Sequence, residues 1–256
     1  MRISPRLPYR EFVRQRRPVV VAHRGAMAFA PENTIAAFTL ALEQGAEVIE
    51  LDVHLSKDGI PVVIHDHTLE RTTNGKGLVS AHTFEALRTL DAGAWFDPAF
   101  AGQRILSLGE VLAWAQGRAY LKIELKTLPM RYPGIEEKVL VLLQRWDMEE
   151  QVEVFSFDHP CVRRFKQMAP HIPVGVCYSA DVGDHVALAR YAGAEVLHPH
   201  WTAISREMVE KAHAAGLWVD AWTVNDPQVV RTLVEWGVDF LKTDAPAQIR
   251  EALGQR

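Results

Sequence analysis

Short runs rich in β-branched and other apolar residues return along this chain after longer stretches of helical periodicity, and few architectures accept that pattern. Eight such runs occur: Val19 to His23, Glu47 to Val53, Tyr120 to Leu125, Val152 to Ser156, Val174 to Tyr178, Glu195 to His198, Trp218 to Trp222 and Asp239 to Lys242. Between them lie helical patterns, among them Thr34 to Gln44, Leu108 to Gln116, Ile135 to Trp146, Ser205 to Ala215 and Pro227 to Trp236. This alternation calls for a parallel sheet, because each parallel pair needs a crossover of a dozen residues or more. Eight units match the strand count of a closed (β/α)8 barrel, the TIM fold. Gly45, Gly216 and Gly237 sit where a helix must stop before the next strand, and Pro31-Glu32-Asn33 leads into the helical run from Thr34.

One apolar run breaks the alternation. Ile60 to Ile64 is joined to the second strand through Asp58-Gly59, a preferred hairpin turn, so it is expected to return antiparallel and not as a barrel strand. A tight two-residue turn would set Asp52 directly opposite His65, with side chains roughly 5 Å apart. From Asp66 to about Ile105 the chain fits no βα unit. This stretch holds Arg71-Thr72-Thr73-Asn74-Gly75-Lys76-Gly77 and then Ala94-Trp95-Phe96-Asp97, and is expected to form a small ordered cap inserted beside the barrel mouth.

Composition narrows the partners. With 256 residues, 48% of them hydrophobic, the chain can bury the core of one large domain, expected to span residues 1–256. A net charge of -4 offers no general attraction to polyanions, so a small substrate is expected and nucleic acid is not. Cys161 and Cys177 stand apart from any metal-like spacing and read as core thiols. The basic start (Arg2, Arg6, Arg10, Arg14, Arg16, Arg17) is followed only by Val19-Val20-Val21-Ala22 before polar residues resume. That is too short for a signal or a span, so a solvated N-terminal helix, a cytoplasmic location and no stable membrane association are expected.

In such barrels the site lies at the C-terminal ends of the strands. The first run ends His23-Arg24-Gly25, the second carries Glu50 and Asp52, the hairpin returns His65, and the third ends Ile123-Glu124-Leu125-Lys126. Alternation turns Glu50, Asp52, Glu124 and Lys126 inward, where two carboxylates about 4 Å apart repel by about 4 kcal/mol at an effective dielectric of about 20. Such a cluster asks for a cation, and its hard oxygens favour Mg²⁺ or Ca²⁺ over zinc. The alternative is neutralisation by Lys122, Lys126 and Arg24 in a solvated barrel top. His23 and His65, with ordinary pKa values near 6.5, suit one proton abstraction and one donation at neutral pH. Arg24 and Lys126 suit an anionic substrate such as a phosphoester.

Taken together, His23-Arg24-Gly25, Pro31-Glu32-Asn33-Thr34, Glu50-Leu51-Asp52-Val53, Asp58-Gly59 with Pro61-Val62-Val63-Ile64-His65-Asp66, Arg71-Thr72-Thr73-Asn74-Gly75, Ile123-Glu124-Leu125-Lys126, Trp222-Thr223-Val224-Asn225 and Thr243-Asp244-Ala245-Pro246 resemble the glycerophosphodiester phosphodiesterase family, from about residue 19 to 247. The resemblance implies a TIM barrel with a small inserted domain after the hairpin. It also implies metal-dependent hydrolysis of glycerophosphodiesters, such as glycerophosphocholine and glycerophosphoethanolamine, to sn-glycerol 3-phosphate and an alcohol. By position it makes His23 and His65 the acid/base pair and Glu50, Asp52 and Glu124 the ligands of one divalent cation. Arg24 and Lys126 fall at phosphate-contacting positions, and Trp222 at an aromatic that packs on the glycerol moiety. His54, His67, His198 and His200 fall near the mouth by register and are expected in supporting positions.

Two departures stand out. Ile105-Leu106-Ser107-Leu108 replaces the family's frequent Ile-Pro-Thr-Leu, which concerns only the start of a helix, and Lys122 shares the inward parity of Glu124, where it is expected to neutralise part of the carboxylate cluster. Two rival readings differ in class. A lysophospholipase D-like enzyme acting on lipids would call for a membrane anchor or an exposed apolar rim. A non-catalytic glycerophosphodiester-binding barrel would have no use for a matched acid/base pair.

Overall fold

The computed structural model describes residues 7–255. In chain order these form α1 (Tyr9–Gln15), β1 (Val19–Ala22), α2 (Ile35–Glu43), β2 (Val48–Leu55), β3 (Pro61–Val63), α3 (Phe84–Arg88), β4 (Leu106–Ser107), α4 (Leu108–Ala115), β5 (Tyr120–Leu125), α5 (Ile135–Arg145), β6 (Val152–Ser156), α6 (His159–Met168), β7 (Val174–Tyr178), α7 (His185–Ala192), β8 (Val196–Pro199), α8 (Arg206–Ala214), β9 (Trp218–Ala221), α9 (Pro227–Glu235), β10 (Phe240–Thr243) and α10 (Pro246–Ala252). Strands β1, β10, β9, β8, β7, β6, β5 and β2 follow one another in parallel, and a β1–β2 pairing closes the ring. The chain is therefore the (β/α)8 barrel that its alternation demanded. Ser107 caps α4 with a reciprocal Ser107–Glu110 capping box, so the Leu-Ser departure costs that helix nothing at its start. No helix among the described residues is long and apolar enough to cross a membrane.

Strand β2 is twice as long as β1, and the excess builds the mouth. Its lower residues Val48 and Ile49 pair with β1, while Val53, His54 and Leu55 pair on that same edge with antiparallel β3. The turn between them is longer by one residue than a two-residue hairpin. Ser56 accepts the Gly59 N–H at 2.9 Å, Gly59 has φ of +75°, and the Ser56 N–H reaches the Ile60 carbonyl at 3.0 Å. This three-residue loop with a left-handed glycine shifts the register, so Asp52 faces Ile64, whose N–H reaches the Asp52 carbonyl at 3.1 Å. The expected Asp52–His65 pairing is thus off by one residue. His65 instead follows the strand's end, where the chain bends. Residues 66–105 leave β3 and return through β4, which pairs with β3 again. They carry α3 and a small core of Leu69, Val79, Leu87, Ala92 and Ile105 packed on Val62 and Ile64.

Parity divides the strands cleanly. Ile49, Leu51, Val53, Leu121, Ile123, Leu125, Val154, Val176 and Leu241 point outward into the shell of helices and form the main apolar core. The inward face is different at each height. At the bottom, Val19, Val21, Val48, Tyr120, Val196, Trp218 and Phe240 meet Tyr9, Phe12 and Val13 of α1, with Phe12 stacked on Tyr120 at 4.1 Å. The N-terminal helix is therefore a plug and not simply a solvated segment, because every third or fourth residue of it is apolar. Arg10 and Arg17 reach Glu195 and Asp239, each at 2.8 Å, while Arg2 and Arg6 lie outside the described residues.

Above that plug the barrel holds charge where branched aliphatics usually pack. Lys122 Nζ lies 2.7 Å from Asp220 Oδ2 and 2.9 Å from Glu153 Oε2, and His198 bridges the same two carboxylates. All four residues are fully buried. Gly175 makes room for them, since a Cβ there would stand 2.3 Å from His198 Nε2. Two sequence expectations fail at this layer: Lys122 neutralises these carboxylates and not the triad above, and His198 lies below the mouth, not at it.

Burial works against the Glu153 carboxylate, yet Lys122 and His198 outweigh it and hold its pKa down at about 2. A carboxylate depressed in the folded state stabilises fully above its unfolded pKa of about 4.3, and that contribution drains away as pH falls toward about 2. Replacing Lys122 with Met leaves two buried carboxylates short of their cation. Lys122→Met is expected to lose about 3–5 kcal/mol in urea unfolding at pH 7. A loss under about 1 kcal/mol would contradict this ion-pair layer.

Candidate active site

The top of the barrel gathers three carboxylates. Glu50 and Asp52 come from β2 and Glu124 from β5, with Asp52 and Glu124 paired in register. All three are buried, and one oxygen of each lies within 4.8 Å of the others. Asp52 Oδ2 accepts the Asn33 amide N–H at 2.9 Å and stands 3.4 Å from Arg24 Nε. Its Oδ1 lies 3.2 Å from Lys126 Nζ but accepts no hydrogen bond. Burial pushes the Asp52 carboxyl up, and the nearby Lys126 and Arg24 charges more than reverse that, holding it well below the usual carboxylate range. Glu50 Oε2 accepts the backbone N–H of Arg24 at 2.9 Å, and Glu124 Oε1 accepts from Lys126 Nζ at 2.8 Å.

Local backbone geometry makes these contacts possible. Arg24 has φ of +53° at the end of β1, which aims its amide at Glu50. The next residue must be glycine: Gly25 has φ of +88°, and a Cβ there would meet the Ala37 backbone of α2 at 2.7 Å. Arg24 and Lys126, expected to face a phosphate, are in this state turned onto Glu32, Asp52 and Glu124.

Both expected acid/base histidines are held by a carboxylate. His23 Nδ1 lies 2.7 Å from Asp244 Oδ1, and Asp244 Oδ2 accepts the Asn225 amide N–H at 2.7 Å. His65 Nδ1 lies 2.7 Å from Asp66 Oδ1, and Arg71 grips Asp66 with Nε at 2.6 Å. A carboxylate partner makes Nδ1 the donor in each ring and leaves Nε2 to exchange a proton. Arg71 also binds Glu32 at 2.6 Å, and Glu32 binds Arg24 at 3.0 Å. Burial alone would raise the Glu32 pKa, but the Arg71 and Arg24 guanidinium groups hold it below the ordinary carboxylate value. A continuous ion chain thus runs from the 66–105 segment through Arg71, Glu32 and Arg24 to Asp52.

Trp222 stands at the end of β9, across the barrel from β2. Its Nε1–H donates to the His198 carbonyl at 2.8 Å, and its ring meets Phe157 and His200 nearly at right angles, with centroids 5.6 and 5.2 Å apart. His200 is therefore at the mouth, as its register implied. His54 lies beneath His65, donating from Nε2 to the His65 carbonyl at 2.9 Å and accepting the Tyr132 hydroxyl at Nδ1, 3.0 Å away. His67 contributes its backbone carbonyl to Val79. A cavity of 100 Å³ lined by Glu124, Lys126, Phe157 and Asp158 opens beside the triad. The larger groove of 610 Å³, lined by Ile60, Val141 and Trp146, is on the outer face between α4 and α5 and touches none of these side chains.

Sequence reasoning assigned no role to Asp66, Asp244, Glu32, Arg71, Asn33 or Asn225, though each lies in a motif quoted above. Two signals were available. Asp66 adjoins His65, and Asp244 shares the inward parity of Lys242 one step beyond β10.

Known proteins resemble this chain in sequence and in fold. Residues 23–248 match the glycerophosphoryl diester phosphodiesterase family. A glycerophosphodiester phosphodiesterase of Caldanaerobacter subterraneus subsp. tengcongensis is 43% identical over 229 residues, covering 89% of this chain and 94% of the relative. The crystal structure of a glycerophosphodiester phosphodiesterase from Agrobacterium tumefaciens superposes with a TM-score of 0.81 at 35% identity, over 91% of this chain and 99% of that one. A phosphodiesterase from Oleispira antarctica, solved in complex with the product sn-glycerol-3-phosphate, gives a TM-score of 0.85 at 32% identity, over 94% and 99% of the two chains.

His54 offers a direct check on the site's hydrogen bonding. Burial is the main cause that drives its imidazole down, to about 4, against the His65 carbonyl that favours the charged form. The ring is therefore expected to stay neutral in the folded protein down to about pH 4, and folding loses stability as pH falls from about 6.5 toward 4. An NMR titration of His54 near its ordinary value of about 6.5 would contradict this burial.

Proposed function

Because the chain belongs to the glycerophosphodiester phosphodiesterase family and is thus a phosphoric diester hydrolase, we propose that His23 and His65 perform its proton transfers beside a divalent cation held by Glu50, Asp52 and Glu124. The observation that carries this reading is the pair of histidines, each pinned through Nδ1 by an aspartate next to the carboxylate triad. The products are sn-glycerol 3-phosphate and an alcohol, the former being the product bound by the Oleispira antarctica protein.

The triad fits a hard cation on its own chemistry. Three buried carboxylates supply only oxygen donors, and Asp52 Oδ1 is buried without a hydrogen bond. Mg²⁺ and Ca²⁺ both suit such a donor set. When bound, the ion would supply positive charge to the nonbridging phosphate oxygens.

The remaining steps belong to the chain's own side chains. Arg24 and Lys126 turn from the carboxylates toward the phosphate and offset the charge that grows on it in the transition state. Nε2 of one histidine takes the proton of the attacking hydroxyl, while Nε2 of the other donates to the departing alcohol oxygen. Asp244 and Asp66 fix the tautomers and stabilise each ring while it is an imidazolium, the base after it takes its proton and the acid before it gives its own up. The attacking hydroxyl is water or the substrate's own glycerol 2-hydroxyl, and a cyclic phosphate trapped in the products marks the second route. Trp222 packs on the glycerol moiety, and residues 66–105 cap the mouth on the side of His65.

The rival readings fare less well. Exposed apolar residues on the mouth side are Phe29, Leu128 and Val182, on the loops after β1, β5 and β7, which are not neighbours in the barrel, and Leu78 and Trp95, apart in the 66–105 segment. Scattered residues of this kind do not make a lipid-binding rim. A pure binder would not need two aspartate-braced histidines.

Release of sn-glycerol 3-phosphate from glycerophosphocholine is expected to vanish in EDTA and return with Mg²⁺ or Ca²⁺. His23→Ala is expected to lower kcat by about a thousandfold, and Asp244→Asn by about a hundredfold with little change in KM. Full release in EDTA, or by His23→Ala, would defeat this reading.

A further inference from the structure

Beneath the triad lies a charge that the mechanism above does not use. Lys242 of β10 is 2% exposed, and its Nζ stands 3.7 Å from Glu50 Oε1. The Phe155 ring covers it from another side, 4.2 Å from Nζ to the ring centre. Among the described residues Glu50 is the only carboxylate within 4 Å of this ammonium, and no hydrogen bond joins it to an acceptor. The other cations near the triad are placed differently. Lys122 is occupied by Glu153 and Asp220, while Arg24 and Lys126 approach from the strand ends at the mouth.

An ammonium this deep in the barrel, with no protein acceptor bonded to it, depends strongly on the field around it. We infer that Lys242 is a positioning residue, a resident counter-charge that steadies Glu50 when no metal is bound and, by like-charge repulsion, limits the affinity of the triad for a divalent ion. Its first role needs only the carboxylates. Its second rests on the reading of the triad as a metal site. The apo barrel then tolerates three crowded carboxylates, and the ion binds against a fixed positive charge.

The test uses chelator-stripped full-length protein, with Ca²⁺ and Mg²⁺ as calorimetric probes and thermal melts run in chelator. Removing the charge in K242M is expected to tighten Ca²⁺ binding by about tenfold or more, because a unit charge at this range in a protein interior far exceeds that threshold. E50Q strands Lys242 without a carboxylate, and K242M strands Glu50. Each single variant is expected to melt lower, while E50Q/K242M regains about 3 °C or more over E50Q. A K242M protein that fails to fold while the double variant folds supports the same coupling. Unchanged or weaker Ca²⁺ affinity in K242M overturns the metal-limiting role, and single effects that simply add in the double variant overturn the counter-charge. Should the wild type bind neither ion, the metal reading of the triad falls, whereas the melting cycle still decides Lys242.

Discussion

Buried carboxylates that stand within a few ångströms of one another must each find positive charge, and the interior of this barrel is arranged around that requirement. Glu153 and Asp220 are balanced by Lys122 and His198 in the lower layer. Glu50, Asp52 and Glu124 above them are met by Lys242 from within the barrel and by Arg24 and Lys126 from the mouth. The lower layer is closed and fully desolvated, which suits a structural role. The upper layer ends in the partly exposed side chains of Arg24 and Lys126, beside three carboxylates that each bring an oxygen within 4.8 Å of the others, which suits binding. Fold and site are thus two heights of one charged column, with α1 sealing its base.

The same requirement explains why the hairpin matters. Strand β2 outruns β1, so its free upper edge accepts β3, and the antiparallel return carries His65 back toward Asp52. Asp66 then orients His65, and Arg71 locks Asp66 to Glu32 and Arg24. The 66–105 segment is therefore tied to the site by ions as well as by its own small apolar core. On the opposite flank Asn225 and Asp244 do for His23 what Arg71 and Asp66 do for His65.

Much of this was legible because parity and punctuation are local signals. The eight barrel strands, the inward set Glu50, Asp52 and Glu124, and the hairpin itself follow from period-two alternation and a turn sequence. What escaped depended on distance or on one residue of turn length. The Ser56–Asp58 contact and the left-handed Gly59 chose a three-residue loop, and that single step moved His65 off the position opposite Asp52. Lys122 and His198 have the right parity for the mouth but sit too low, because strand tilt and stagger set height in a closed barrel and neither can be read from one strand. Asp244, the partner of His23, was remote for a related reason, since it comes from the far end of the chain, whereas Asp66 stood next to His65 in sequence.

In the proposed function the upper carboxylates hold a cation, for which the rest of the column leaves room. The most direct measurement is a calorimetric titration of chelator-stripped wild type and Asp52→Asn with Mg²⁺ and Ca²⁺. Wild type is expected to bind one ion per chain, and Asp52→Asn, which removes the central charge while keeping side-chain shape, is expected to bind none in the same range. Absence of binding by the wild type, or equal binding by the folded variant, would contradict the account.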